Sequence, residues 1–526
     1  MTLFRHRFPH FILAAALLIL AGCGKQPDLT PATPAPAAVS QKPGSFNILA
    51  GSELKDVADV VVAFGRTQGV TVKFEYTGTL DAVDRLSDSH AFDAVWVSHG
   101  KYLQLVPAVK SQIKASEKTL YSRVVLGIKP EAAKRLGWQS GKTGWKDILK
   151  AIEAGKFRFA MTNPTGSNTG FVALTGLAAE LSGKSDALEE KDIPTAALKR
   201  FFAGQVMTAG SSGALAEQFA ANPQGVDGMV NYESVIRTLA AKGFPLDVII
   251  PAEGVITADY PLMLLAKSEQ GGFYQALLTH LRSPPVQQRL AANTYRTPLS
   301  GSSDSAVYNE LPFPGSLPVI DAILRGFLDT YSRPQASYFV LDVSGSMRGP
   351  RISSLKQAIT TLTQGDASSA GRFATFRARE HIELTAFSSE IFPTQVFDLT
   401  ADSKTNREVL ERIDASVRNL EAKGGTAIYD ALMSIYPGAQ AALRREDRAV
   451  SIVLITDGEN TVGSDFNRFQ QFVNEHGAPR VPVFGVLYGE ASAADMQALA
   501  KLTGGRVFDA RTTSLARALK DIRSFQ

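Results

Sequence analysis

Two apolar runs that each end on an aspartate constrain this chain more than any other feature. Tyr338-Phe339-Val340-Leu341 runs without a polar break into Asp342, and Ser451-Ile452-Val453-Leu454-Ile455 runs into Thr456-Asp457. Short continuous apolar runs of this kind read as strands buried on both faces of a parallel sheet. In an open α/β sheet the loops beyond the carboxyl ends of the strands converge on one crevice, so the two acids can meet in space. Asp342, Ser344 and Ser346 alternate along an extended turn, and Gly345 permits a tight backbone. Gly425-Thr426 adds a third hydroxyl. Two carboxylates and three hydroxyls form a hard-oxygen set suited to Mg²⁺, Mn²⁺ or Ca²⁺ and unsuited to zinc or copper. Taken singly, each segment is explained as a helix cap or an ordinary turn. Their occurrence together favours the ion site.

The order Asp-x-Ser-x-Ser, then Thr, then Asp resembles the metal-ion-dependent adhesion site of the von Willebrand factor A domain. The resemblance spans residues 337–526 and includes Ala386-Phe387-Ser388, Gly424-Gly425-Thr426 and Val483-Phe484-Gly485-Val486. It implies a Rossmann-like, doubly wound domain over 333–526. It further implies that Ser344, Ser346 and Thr426 touch the cation through their hydroxyls, with Asp342 and Asp457 holding it directly or through water. Mg²⁺ is the expected ion, with Mn²⁺ and Ca²⁺ as alternatives. One coordination position stays open in that family for an acidic side chain of a protein partner, which makes the site a binding device and not a catalyst. The resemblance also implies that the final helix, 514–525 with Leu515, Leu519 and Ile522 on one face, is coupled to the metal site.

The first residues carry Arg5 and Arg7, an apolar stretch from Phe11 to Leu20, and then Leu20-Ala21-Gly22-Cys23. The apolar core is too short for a comfortable membrane span and has the layout of a secretory signal. It resembles a bacterial lipoprotein signal peptide, residues 1–22, which implies that Cys23 carries the lipid. Cys23 is the sole cysteine, so no intramolecular disulfide forms. Residues 23–45, with Pro27, Pro31, Pro34, Pro36 and Pro43, cannot bury a core and read as an extended tether. The expected location is the cell envelope, lipid-anchored on the extracytoplasmic side of a membrane.

From Phe46 the chain alternates short apolar runs with helical patterns: a strand over 46–50, an amphipathic helix over 53–66, strands over 70–76 and 92–97. This βαβ alternation predicts a parallel sheet. With Gly51-Ser52-Glu53, Thr77-Gly78-Thr79, Thr162-Asn163-Pro164, Ser167-Asn168-Thr169-Gly170 and Asn231-Tyr232-Glu233, the region resembles a two-lobed periplasmic solute-binding protein. The module is expected over 46–332, including a linker helix at its end. Anions in such clefts are held by hydroxyls and backbone N–H groups at helix starts. Ser52, Thr77, Thr79, Ser167, Asn168 and Thr169 are the candidates for a small-molecule or anionic ligand, and each also serves as a cap or turn residue. Glu53 would repel an anion if it faced inward. Val248-Ile249-Ile250-Pro251 and Pro261-Leu262-Met263-Leu264-Leu265 read as the return to the first lobe.

Several functions are disfavoured. Gly137-Trp138-Gln139-Ser140-Gly141-Lys142-Thr143 imitates the end of a phosphate-binding loop, but Leu136 stands where the motif needs glycine. The seven histidines are scattered, no nucleophile and base pair is visible, and an enzyme is not expected. A formal charge of +4 with acids and bases interspersed gives no case for nucleic acid. The expected function is an envelope lipoprotein that holds a protein partner through a divalent cation, with the solute-binding-like module for recognition or sensing. The alternative is a solute receptor of a transport system whose last domain serves docking or assembly.

Overall fold

The chain begins its first lobe with β1 (Gly44–Gly51), β2 (Val70–Thr77), β3 (Ala94–Trp96) and β4 (Ile113–Lys118). It then crosses to a second lobe built from β5 (Ser122–Ile128), β6 (Phe159–Thr162), β7 (Gln205–Ala209), β8 (Gly228–Tyr232), β9 (Asp247–Ile249) and β10 (Thr257–Ala258). It returns with β11 (Pro261–Leu265). This computed structural model describes residues 44–526 apart from 89–90, 185–186, 300–309, 312, 367 and 446. The signal segment 1–22, Cys23 and nearly all of the tether lie outside the described residues.

The first sheet has the order β2-β1-β3-β11-β4 and the second β10-β5-β8-β6-β7, with β9 paired to β5. β1 runs parallel to β2 and β3, while β11 runs antiparallel to β3 and β4. Two crossings join the lobes, at residues 119–121 and 259–260. They are pinned together, because the Trp96 indole N–H and the Thr119 hydroxyl both donate to the Tyr260 carbonyl, at 3.0 and 2.6 Å. Tyr260 pays for this corner with a φ of 40°, a conformation a bulky side chain rarely takes.

Three sequence expectations change here. The helix expected over 53–66 starts as a 3-10 turn, Ser52–Asp56, followed by a helix at Ala58–Thr67. The break is held by buried Arg296, which donates to the Glu53 carbonyl at 2.6 Å and to the Asp56 carboxylate at 2.7 Å. The strand expected over 92–97 shortens to β3, because the Asp93 carboxylate turns aside to accept from the Asn47 N–H. Val248 and Ile249 do not return to the first lobe: β9 pairs with the free edge of β5, and only β11 makes the return.

A helix at Leu317–Gly326, widening into a π-helical turn at Phe327–Tyr331, packs on the second lobe and leads into the last domain. Its sheet comprises β12 (Gln335–Asp342), β13 (His381–Phe387), β14 (Gln395–Asp398), β15 (Ala449–Thr456), β16 (Val483–Leu487) and β17 (Arg506–Asp509). The order is β14-β13-β12-β15-β16-β17, parallel except for the edge pair β13–β14. Alternate residues of β12 feed opposite cores. Tyr338 and Val340 pack with helices Ile428–Arg444, Phe466–His476 and Ala493–Thr503. Phe339 and Leu341 pack with helices Pro350–Gln364, Ser403–Arg418 and Leu515–Arg523. Coverage on both faces is why residues 338–341 are apolar, and the buried Ser337 before them is tolerated because its hydroxyl donates to Glu380 at 2.6 Å. The described residues belong to one compact unit, Gln41–Gln526. No helix among them is long and apolar enough to cross a membrane.

Candidate functional site

Asp342 is the last residue of β12 and is fully buried. One carboxylate oxygen accepts from the Ser344 N–H at 2.7 Å, and the other accepts from the Thr456 hydroxyl at 2.6 Å. Burial raises its carboxyl above the ordinary value of 3.8; those two hydrogen bonds oppose the shift and the nearby Asp457 charge adds to it. The Ser344 and Ser346 hydroxyl oxygens lie 3.0 Å apart, and Ser346 donates to Asp457 at 2.7 Å. Asp457, also fully buried, takes a second partner: the Arg351 guanidinium at 2.6 Å. Arg351 sits in the first turn of helix Pro350–Gln364 and reaches Glu490 at 3.5 Å with its other nitrogen.

Thr426 enters from a separate loop. Gly424 adopts a φ of 81°, which glycine permits without strain, and its carbonyl accepts from the Gly345 N–H at 2.9 Å. The Ser389 hydroxyl accepts from the Gly425 N–H at 2.6 Å, and Thr461 accepts from the Thr426 N–H at 2.9 Å. Thr426 is 4 % exposed. Thus the three segments separated in sequence meet at the carboxyl ends of β12 and β15. Glu459 is exposed and stands apart from this network. Among the described residues no group of three or more acids, histidines and cysteines converges. The arrangement is a mixed set of acids and hydroxyls. Sequence reading passed over Thr456 as a holder of Asp342 and Arg351 as a counter-charge; Thr456 was adjacent to a chosen acid, while Arg351 carried no signal at all.

The cleft between the lobes is shut by direct bonds. The Thr79 hydroxyl of the first lobe donates to the side-chain amide oxygen (Oδ1) of Asn168 in the second. Asn168 in turn donates to the Glu53 carboxylate at 3.2 Å, and the Tyr232 hydroxyl donates to Ser98 at 2.7 Å. Glu53 therefore does face inward. Burial raises its carboxyl, opposed by hydrogen bonds from its own backbone and Asn168 and by the charge of Arg296. Thr77 donates instead to Asp81 at 2.5 Å. Ser167 and Thr169 are buried at the start of helix Asn168–Ser182, and Ser52 is half-buried at the cleft mouth. The structure thus brings Thr79 and Asn168 into contact, leaves Ser52 and Thr77 at the mouth, and adds Glu53, Ser98 and Tyr232, none of which is among the anion-holding candidates of the sequence.

Comparison with known proteins gives each half a relative. The family model described as bacterial extracellular solute-binding protein matches residues 46–296, and that of the von Willebrand factor type A domain matches residues 338–524. Inter-alpha-trypsin inhibitor heavy chain H4 of Sus scrofa is 31 % identical over 147 residues, which is 27 % of this chain and 14 % of that protein. The chain therefore spans about a seventh of that relative's length. Among solved structures, the periplasmic binding protein AfuA from Actinobacillus pleuropneumoniae aligns with a TM-score of 0.45 at 13 % identity, over 55 % of this chain and 99 % of that one. A periplasmic thiamin binding protein aligns with a TM-score of 0.43 at 14 % identity, over 54 % and 96 %. The chain joins a module of the bacterial extracellular solute-binding protein family to a von Willebrand factor type A domain.

Proposed function

We propose that this protein is an envelope receptor, anchored through a lipid on Cys23, that holds a protein partner through a divalent cation while its two-lobed module recognises or senses a small solute. The observation that carries the reading is the convergence of Asp342, Ser344, Ser346 and Asp457 in one hydrogen-bonded oxygen set beside the Thr426 loop. The donor set fits a hard cation, since its acid and hydroxyl side chains offer oxygen alone and two buried carboxylates share only one guanidinium. Asp342, Ser344, Ser346, Thr426 and Asp457 would hold Mg²⁺, with Mn²⁺ or Ca²⁺ served by the same chemistry. When bound, the cation supplies a point of attachment for a partner's carboxylate. The chain's own residues keep the set in place: Thr456 and the Ser344 N–H orient Asp342, while Ser346 and Arg351 orient Asp457. Binding, not catalysis, is the role of both modules, and nucleic acid is not a partner. The extracytoplasmic side of the envelope agrees with the description of the solute-binding family.

The test is calorimetric titration of the full chain with Mg²⁺ and Mn²⁺, together with capture of envelope proteins in Mg²⁺ or in EDTA. Saturable cation binding, weakened about tenfold or more in Thr426→Ala, and a partner retained only with Mg²⁺ are expected. Absent cation binding, or capture indifferent to EDTA, would remove the reading. A second reading, a solute receptor of a transport system with the last domain docking it, is favoured by the polar lining of the cleft at Glu53, Ser98, Asn168 and Tyr232. A thermal-shift screen across small solutes that finds no stabilising compound would count against it.

A further inference from the structure

The last helix of the von Willebrand domain, Leu515–Arg523, does not face solvent on its polar side. It lies across the mouth of the solute cleft. Arg517 makes a two-pronged pair with Asp81 of the first lobe, both nitrogen to oxygen distances being 2.6 Å, and that same carboxylate accepts from Thr77. One turn on, Lys520 donates to Asp84 at 3.3 Å. The Asp84 carboxylate also receives the Ser369 N–H and, at 2.9 Å, the Ala370 N–H of another loop of the same domain. The second lobe is gripped by the end of the helix, where the Asn163 side chain donates to the Arg523 carbonyl at 3.3 Å.

Two glycines make that seat fit. A β-carbon at Gly166 would stand 2.3 Å from Cβ of Ser524, and one at Gly210 would stand 2.5 Å from the Phe525 ring. Neither distance is tolerable, so the surface of the second lobe is shaped to the end of this helix. Beneath the contact lies a cavity of about 310 Å³, with Ser52, Thr77 and Ser211 on the cleft side and Arg517, Lys520 and Phe525 on the other.

We propose that residues 515–525 form a cap on the solute cleft, so that the von Willebrand domain must let go of at least one lobe before a solute can enter or leave. The lobes of such a module part by rotation about their two crossings. A segment bonded to both lobes resists that rotation however weak the bonds between the lobes themselves are. Here the direct closure consists of the Thr79–Asn168, Asn168–Glu53 and Tyr232–Ser98 hydrogen bonds. The cap adds to these a bidentate ion pair shielded from solvent on the aspartate side, where Asp81 is 12 % exposed. Bidentate charge-assisted pairs are the stronger class of polar contact. The inference rests on the two-lobed module being the solute binder, but its test needs no solute.

Hydrogen–deuterium exchange of the full chain reads cleft opening directly. In Arg517→Asp, peptides carrying Thr77–Thr79 and Ser167–Gly170 are expected to exchange about tenfold faster than in the wild type, with β12 and β15 unchanged. Pairing Asp81→Arg with Arg517→Asp restores the ion pair in reverse and is expected to return the slow rate. Gly166→Ala, which unseats Ser524 without touching a charge, is expected to reproduce the fast exchange. Faster exchange in the last helix with an unchanged cleft would show that the lobes stay shut by themselves, and would overturn the cap. Unchanged exchange everywhere in both Arg517→Asp and Gly166→Ala would overturn it as well.

Discussion

Asp457 answers to two partners, the Ser346 hydroxyl and the Arg351 guanidinium, and the second of these is a cation already in place. A divalent ion at this set would feel that charge. Arg351→Ala is expected to tighten Mg²⁺ binding several-fold while lowering stability in EDTA by about 1–2 kcal/mol, because a buried carboxylate loses its counter-charge and Arg351 is itself 31 % exposed. Paired urea melts with and without Mg²⁺ check this: the deficit in EDTA should shrink when Mg²⁺ is added. Equal deficits in both conditions would separate Arg351 from the ion. The meeting of Asp342, Ser344, Ser346 and Asp457 was legible in the sequence because the two acids terminate apolar runs, which fixes where they stand on the sheet. Arg351 was not legible, since an arginine in a first helical turn is ordinary and only its distance to Asp457 gives it meaning. Glu53 was half legible. The sequence named its conflict with an anion, but whether it turns inward is decided by Arg296, far along the chain, which clamps the turn that carries it.

The last helix shows how one element serves two neighbours. The Ser514 hydroxyl caps it by accepting from the Arg517 N–H at 3.1 Å, and Leu515, Ala518, Leu519 and Ile522 bury its apolar stripe in the domain core. Arg523 closes it with a pair to Glu380 in which both side chains are almost wholly buried, at 2 % and 0 % exposure. Burial alone would raise the Glu380 carboxyl, but the Arg523 charge and hydrogen bonds, helped by Arg377 and Ser337, outweigh it and leave the value below the ordinary 4.5. The stability this contributes is therefore present in full above about pH 4.5 and is lost as the pH falls through the lower folded-state value. Glu380→Gln is expected to cost about 3–5 kcal/mol at neutral pH and to flatten the acid limb of a plot of melting temperature against pH. An unchanged acid limb would mean that other carboxylates govern it. The apolar stripe of this helix could be read from Leu515, Leu519 and Ile522. Its polar face could not, because exposed and docked arginines look alike until the partner surface is known.

At the scale of the molecule the two modules are not beads on a string. The last domain holds the linker helix through Arg372 with Asp321 at 2.8 Å and Arg379 with the Asp329 carbonyl, and it meets the lobes themselves through the contacts at the cleft mouth. A scanning calorimeter is expected to record overlapping unfolding of the two modules in the wild type and two resolved transitions in Arg517→Asp. Two resolved transitions already in the wild type would mean that the contact carries little energy. The order of modules was legible from strand alternation and from the paired apolar runs, since each depends on neighbours within one domain. Their mutual docking was hidden, because Asp81 and Arg517 are 436 positions apart and no local pattern records such a pair. That separation also sets an order in time. Domains fold as units, those nearer the amino terminus first during synthesis. The lobes that carry Asp81, Asn163 and Gly166 are complete well before residues 515–525 have been made. A chain that folds in this order passes through a stage with its receptacle formed and its stopper still missing.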